Sequence, residues 1–318
     1  MRILHLSDTH LYGDDALHYG RIDTIAALAG VLDRLRSLRE SGADGAAARI
    51  DAVIHTGDAS DDGSVGSYRR LHAQLEPFAA ELGAQLVVAM GNHDAPAAYA
   101  EVAGEGAHGG PWQDRLVPLE GGGCVIVLDT SVPGAGYGHL DPEQLDWLRS
   151  VLPDAPEPAV LALHHPPLKA ATPLLAALDL DGLEELGEIL RGSAVRLILA
   201  GHFHHEMAGE LAGIPVHVAP GVTNVVDPLG AVPDEQALAL SGASLIEIGD
   251  AGGGGGRVGP LPRIVTAVWP NAGDRLGDVG VPVYRFDPEE GRRIIAAAGR
   301  PAAQAPPVPD AELPGPIV

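Results

Sequence analysis

One cysteine and one lysine are all that the 318 residues contain of either type, and both scarcities exclude chemistry. Cys124 alone can form no intrachain disulfide and no thiolate metal cluster, so any metal must be held by oxygen and nitrogen. With Lys169 the sole lysine, 20 basic residues stand against 43 acidic ones, a formal net charge of -23. Such a surface repels polyanions, whose binding depends on neutralising phosphates with Lys and Arg, so nucleic acid is not expected as a partner. A small phosphorylated substrate stays open, because a bound metal reverses the local potential inside an acidic pocket. Long apolar runs are also missing: no stretch of about eighteen such residues occurs, and no membrane span is expected. The opening Met1-Arg2-Ile3-Leu4-His5-Leu6 lacks an apolar run followed by a small-residue cleavage site, and the protein reads as cytoplasmic.

What is present is globular. Hydrophobic residues make up 46% and charged residues 20%, while 42 Gly and 27 Pro predict many loops. The length allows one large domain or two small ones. Short apolar runs rich in β-branched residues alternate with segments of helical period, the pattern of a layered α/β protein. Strands are expected over 2–6, 52–55, 85–90, 125–128, 160–163 and 195–200, and helices over 21–40, 65–82 and 142–152. Further strands are expected over 244–248, 263–269 and 281–286, with a last helix over 288–298. Gly252 to Gly256 reads as a hairpin connection, and 299–318 as an extended Pro/Ala-rich tail. Residues 1–298 are therefore taken as one domain, with a motif-bearing core in 1–225 and C-terminal strands and helix in 244–298.

Almost every polar cluster follows a strand. The clusters are Asp8-Thr9-His10, Gly57-Asp58, Gly91-Asn92-His93-Asp94, His164-His165-Pro166 and Gly201-His202-Phe203-His204. Loops at the carboxyl ends of strands are where open α/β folds place ligands, so these clusters are expected to converge on one sheet edge. Asp, His and Asn together suit zinc, iron, manganese or cobalt, and two pairs spaced two apart plus an isolated Asp, Asn and His supply enough ligands for two ions. Singly, each cluster has a plainer reading: Asp-x-His as a capping or solvated pair, Gly-Asp and Asn-His-Asp as ordinary turns. Five of them in order are much harder to attribute to coincidence.

In that order the blocks resemble the signature of the calcineurin-like metallophosphoesterase family, over Asp8 to His204. The resemblance implies a four-layer α/β/β/α sandwich of two mixed β-sheets flanked by helices. It assigns Asp8, His10 and His204 to one metal and Asn92, His164 and His202 to the other, with Asp58 as the bridge. It selects His164 over His165, and it implies that His93 donates a proton or stabilises the transition state, with Asp94 orienting its other ring nitrogen. The stretch Asp58-Ala59-Ser60-Asp61-Asp62-Gly63 with Tyr68, Gly138-His139-Leu140, and Pro220-Gly221-Val222-Thr223 are similar to the class III cyclic-nucleotide phosphodiesterase branch. The implied activity is a metal-dependent phosphodiesterase acting on 3',5'-cyclic nucleotides, with a glycerophosphodiesterase as the alternative.

The remaining histidines receive the bland reading. His5 and His55 are expected packed or hydrogen-bonded in strands, and His18, His108, His139, His205 and His217 carry no motif. A nuclease would want a basic groove that the charge argues against. A non-enzymatic scaffold would have lost a ligand, and a phosphoprotein phosphatase would want an Arg beside the histidine block. The partner expected is a small-molecule phosphodiester, with a homodimer left open. The segment after 244 is given a role in packing or oligomer contacts only.

Overall fold

Each short apolar run becomes a strand because both of its faces are covered, and the covering elements set the layers. The computed structural model describes residues 1–40, 49–104, 106, 111–230, 234–249 and 260–301. In chain order the strands are β1 (Arg2–Leu6), β2 (Ala52–Thr56), β3 (Gln85–Ala89), β4 (Arg115–Pro118), β5 (Cys124–Val127), β6 (Ala159–Ala162) and β7 (Val195–Ala200). They continue with β8 (Met207–Leu211), β9 (Ile214–Val218), β10 (Val225–Val226), β11 (Glu235–Leu238), β12 (Leu240–Glu247), β13 (Arg263–Pro270) and β14 (Pro282–Phe286). The helices are α1 (Thr24–Glu40), α2 (Val65–Leu82), α3 (Pro96–Ala103), α4 (Pro142–Val151), α5 (Pro173–Ala176), α6 (Leu183–Leu190) and α7 (Pro288–Ala298).

Two mixed sheets carry the fold, in the orders β13-β12-β1-β2-β3 and β4-β5-β6-β7-β9-β8. The side-chain period of two sorts each strand between layers. On β7, Leu197 and Leu199 pack with Ile3, Ile54, Val87 and Val127 in the seam between the sheets. Ile198 and Ala200 point the other way, into a cluster with Leu145 and Leu148 of α4 and Leu186 and Leu190 of α6. On the far side Leu4, Leu6 and Val53 pack against Leu28 of α1 and Leu71, Leu75 and Phe78 of α2. Three apolar clusters between four layers make the α/β/β/α sandwich that the resemblance implies. Strands buried on both faces have no reason to alternate polar and apolar residues, which is why they read as continuous apolar runs.

The helix expected from residue 21 begins instead at Thr24, because Ile22 makes bridges to His18 and Asp274. Arg21 is buried and gives its guanidinium to both Asp274 oxygens, at 2.7 and 2.8 Å, and to the carbonyls of Val281, Pro282 and Asp278. A third sheet, β10-β11-β14, was not foreseen. It and α7 are pinned to the body by Arg21 at one end and, at the other, by Arg300, which bonds the Asp179 carboxylate at 3.0 Å. The Gly252 to Gly256 connection, and the tail beyond residue 301, lie outside the described residues. Among the described residues no helix is long and apolar enough to cross a membrane.

Candidate metal centre

The loops after β1, β2, β3, β6 and β7 meet at one edge, as parallel strands with a shared carboxyl end require. They are stitched to one another before any side chain is considered: Asp8 N–H donates to Gly57 O at 3.1 Å, His10 N–H to Asp58 O at 2.9 Å, and Gly201 N–H to His164 O at 3.0 Å. The turns are strained. Among the described residues seven non-glycine residues hold left-handed backbone, and five of them are Asp8, His10, Asp58, His202 and His204. Such φ values cost of order 1–3 kcal/mol each and persist only where the surroundings over-determine them. Two glycines make room. A Cβ at Gly57 would sit 2.6 Å from His164 Nδ1, and one at Gly91 would sit 2.3 Å from Asp58 Oδ1.

The structure brings all seven expected ligands together. Asp8, His10, Asp58 and His204 form one group within metal-sharing distance, and His164, His165 and His202 form a second. Asn92 joins the second through its Oδ1, 3.2 Å from His164 Nε2. Asp58 lies between them. Its Oδ1 accepts the His93 N–H at 2.9 Å, while Oδ2 lies 3.6 Å from His10 Nε2 and 3.3 Å from His164 Nε2.

Each of the four histidines has one ring nitrogen held by an acceptor outside the cluster. His10 Nδ1 donates to Asp61 Oδ1 at 3.0 Å, His164 Nδ1 to Thr56 O at 2.8 Å, His202 Nε2 to Leu178 O at 2.9 Å and His204 Nδ1 to Asn224 Oδ1 at 2.7 Å. Acceptor partners fix the tautomer, and on His10, His202 and His204, whose basicity burial lowers, the inward nitrogen carries a lone pair. His10 Nε2 and His204 Nε2 face each other at 3.1 Å. Burial, opposed by nearby Asp58, pushes both rings down to about 4, which makes a proton between them unfavourable. Two lone pairs at that distance, beside a buried Asp8 carboxylate whose pKa burial raises, need a cation. The donor set therefore fits metal ions of the borderline kind, and with the family it indicates a dinuclear divalent site.

Burial works against ionisation of Asp58 and His164 alike, yet their mutual attraction wins. Asp58 stays well below the ordinary carboxylate range, and His164 rises to about 9. His93 is also raised despite burial, by the charges of Asp58, Asp61 and Asp94. Its side chain is 44% exposed, on the wall of a cavity of about 520 Å³ that opens onto the cluster.

Three assignments change. Asp94 does not orient His93: its carboxylate accepts the backbone N–H groups of Gly91 at 2.8 Å, Ser60 at 2.9 Å and Ala59 at 3.1 Å, knitting the loops after β2 and β3. Asp61 is the carboxylate beside His93, 3.6 Å from Nδ1, and it also faces His10 and His18. His18, read as unremarkable, sits with its ring 5.2 Å from that of His10, and its Nε2 accepts from Asn224 Nδ2 at 3.3 Å. His165, the residue flanking His164, has both ring nitrogens engaged, with Thr130 Oγ1 at 2.8 Å and Gly136 O at 3.1 Å. Asn224 directly follows the Pro220 to Thr223 loop, and its adjacency to that loop was the one signal that could have found it. Asp61 carried a comparable signal in the stretch after Asp58. The segment after 244 does more than pack, because Tyr284, Phe286, Ile294 and Ala298 line the same cavity as the metal cluster.

Comparison with known proteins agrees with this geometry. The family model for calcineurin-like phosphoesterases matches residues 1–206. A cAMP/cGMP dual specificity phosphodiesterase of Mycobacterium tuberculosis is 42% identical over 218 residues, covering 68% of this chain and 66% of that one. A protein of Rhodococcus erythropolis named as a probable cyclic nucleotide phosphodiesterase is 39% identical over 303 residues, covering 93% of this chain and 91% of the other. Among solved structures, a purple acid phosphatase from yellow lupin seeds superposes with a TM-score of 0.51 at 12% identity, over 96% of this chain and 57% of that one, a likeness of fold alone.

Proposed function

The chain belongs to the calcineurin-like phosphoesterase family, and from that premise we propose that it hydrolyses 3',5'-cyclic nucleotides, and other small phosphodiesters, at a dinuclear metal centre. Asp8, His10 and His204 would hold one ion and Asn92, His164 and His202 the other, with Asp58 available to both. The observation that carries the reading is Asp58 Oδ2, which faces His10 Nε2 and His164 Nε2 at 3.6 and 3.3 Å from opposite sides of the cluster. The ions supply, when bound, an acidified water as nucleophile at neutral pH and compensation for charge on the phosphoryl oxygens.

The chain's own residues do the rest. Thr56 O, Leu178 O, Asp61 and Asn224 hold the four rings in the orientation and tautomer that a ligand needs. His93 presents its ring to the cavity with Nδ1 turned towards Asp61, which leaves Nε2 to give a proton to the departing oxygen. Neither Lys nor Arg is among the described residues lining the cavity, so a polynucleotide backbone finds no cationic track there. Nitrogen and oxygen ligands of this kind take manganese, iron, zinc or cobalt, and supply in the cell decides among them.

The test is turnover by manganese-loaded protein on cyclic AMP, cyclic GMP, a glycerophosphodiester and a monoester. Turnover is expected on the diesters, with cyclic nucleotides ahead. Asp58→Ala should remove several kcal/mol of transition-state stabilisation, a loss of about a thousandfold, together with bound metal. Protein carrying two metal equivalents and turning over none of these diesters would sink the proposal.

A further inference from the structure

Aromatic side chains are scarce in this chain, three Phe, three Trp and six Tyr, yet four of those rings line one cavity. Three of them touch one another. Tyr284 and Phe286, two apart on β14 and so on the same face, stack with centroids 4.5 Å apart and planes at 17°. Tyr19 lies 4.8 Å from Tyr284 and 6.2 Å from Phe286. Its other side meets the ring of His18 edge-on at 4.7 Å, and His18 in turn stands against His10. The platform therefore reaches the metal cluster without a gap.

Two features of Tyr19 do not suit a residue that merely fills space. It is 53% exposed, and it holds a φ of 50°, one of only two left-handed non-glycine residues among those described that are outside the candidate ligands. A bulky side chain in that region is costly, and such strain collects where a residue is held for a purpose. Arg21, two residues on, bonds the carbonyls of Val281 and Pro282 at the head of β14, which fixes Tyr19 and Tyr284 relative to each other. Around the rings the cavity wall continues with Val226, Leu175 and Ile294. This half of the lining carries no amide, carboxylate or cationic side chain.

We propose that Tyr19, Tyr284 and Phe286 form the subsite for the planar aromatic group of the substrate, the base of a cyclic nucleotide or the ring of an aryl diester. The proposal rests on the phosphodiesterase reading of the site. Every base has a π-face, so a stacking platform takes adenine and guanine alike. Recognition is divided: the cluster takes the phosphate and the platform takes what is esterified to it.

The experiment uses the full chain loaded with manganese. Tyr19→Gly removes the ring while easing the backbone, and Phe286→Ala and Phe286→Trp test the second ring. For cyclic AMP and cyclic GMP, Tyr19→Gly and Phe286→Ala should raise KM about tenfold, within the range of base stacking, and by the same factor for both bases. A glycerophosphodiester should change less than about twofold, and Phe286→Trp, which keeps a stacking face, should raise KM for the cyclic nucleotides less than Phe286→Ala does. Equal losses on the aromatic and the alkyl diesters would overturn the subsite. Calorimetric binding of phenyl phosphate against methyl phosphate decides the matter without turnover. A preference for phenyl that Tyr19→Gly erases supports the platform, and no preference in the wild type refutes it. If no diester is hydrolysed but that preference is found, the phosphodiesterase reading fails and the aromatic subsite stands.

Discussion

Where the loops after β1, β2, β3, β6 and β7 meet, the candidate ligands sit on strained backbone, and each ring there is tied by an outer hydrogen bond. Across the cavity, β14 and α7 offer Tyr284, Phe286, Ile294 and Ala298, which contribute apolar surface and no ionic contact to the cluster. The polar half is over-determined: shifting one loop disturbs hydrogen bonds from several others. The apolar half is held from behind, by Arg21 at its start and Arg300 at its end. A charged centre needs angular accuracy, whereas a hydrophobic wall needs position and little else, and the two kinds of support match those needs.

Breaking the rear support is the sharpest way to separate the halves. Arg21→Ala leaves Asp274 buried without its partner, and stability should fall by about 3 kcal/mol, read as an earlier denaturant midpoint. Metal content of the folded protein should not change, and a loss of metal in parallel would mean that the halves are one unit. Inside the polar half, His93→Ala should lower kcat about a hundredfold with both metals retained, as loss of a general acid does. Metal loss in that variant, measured by atomic absorption, would recast His93 as structural. The smallest effect is expected at Asp61→Asn, which keeps the shape but weakens the support of His10 and His93. About tenfold in kcat/KM is the expected loss, and unchanged kinetics would show that Asp61 only fills space.

The same contrast explains what the sequence disclosed. The ends of β2, β6 and β7 could be read because apolar runs buried on both faces stop abruptly at polar loops. The extent of α2 was legible because Ser64 caps one end, its Oγ accepting from Ser67, and Gly83 closes the other. The five polar blocks stood out through residue type and spacing. Asp61 stood only within the longer stretch Asp58 to Gly63, with no role of its own, because its meaning comes from three rings, two brought to it by another loop and the third that of His93. Asp94 misled for the opposite reason: next to His93 in sequence, its carboxylate turns to the backbone instead. Tyr19 lies more than 260 residues before Tyr284 and Phe286, and nothing local says that it touches them. The pairing of β12 with β1 was likewise invisible, since an antiparallel partner leaves no mark on a doubly buried strand.

That pairing has a consequence for synthesis. β1 precedes the other described strands, and it lies in the middle of its sheet, with β2 on one side and β12 on the other. By the time residue 225 is made every candidate ligand is in the chain, yet β1 still presents an open row of N–H and C=O groups where residues 244–247 will dock. Until then the sheet has a long apolar edge of the kind that recruits another chain. Closure of that sheet thus waits for β12, and a product truncated before it would be an aggregation hazard.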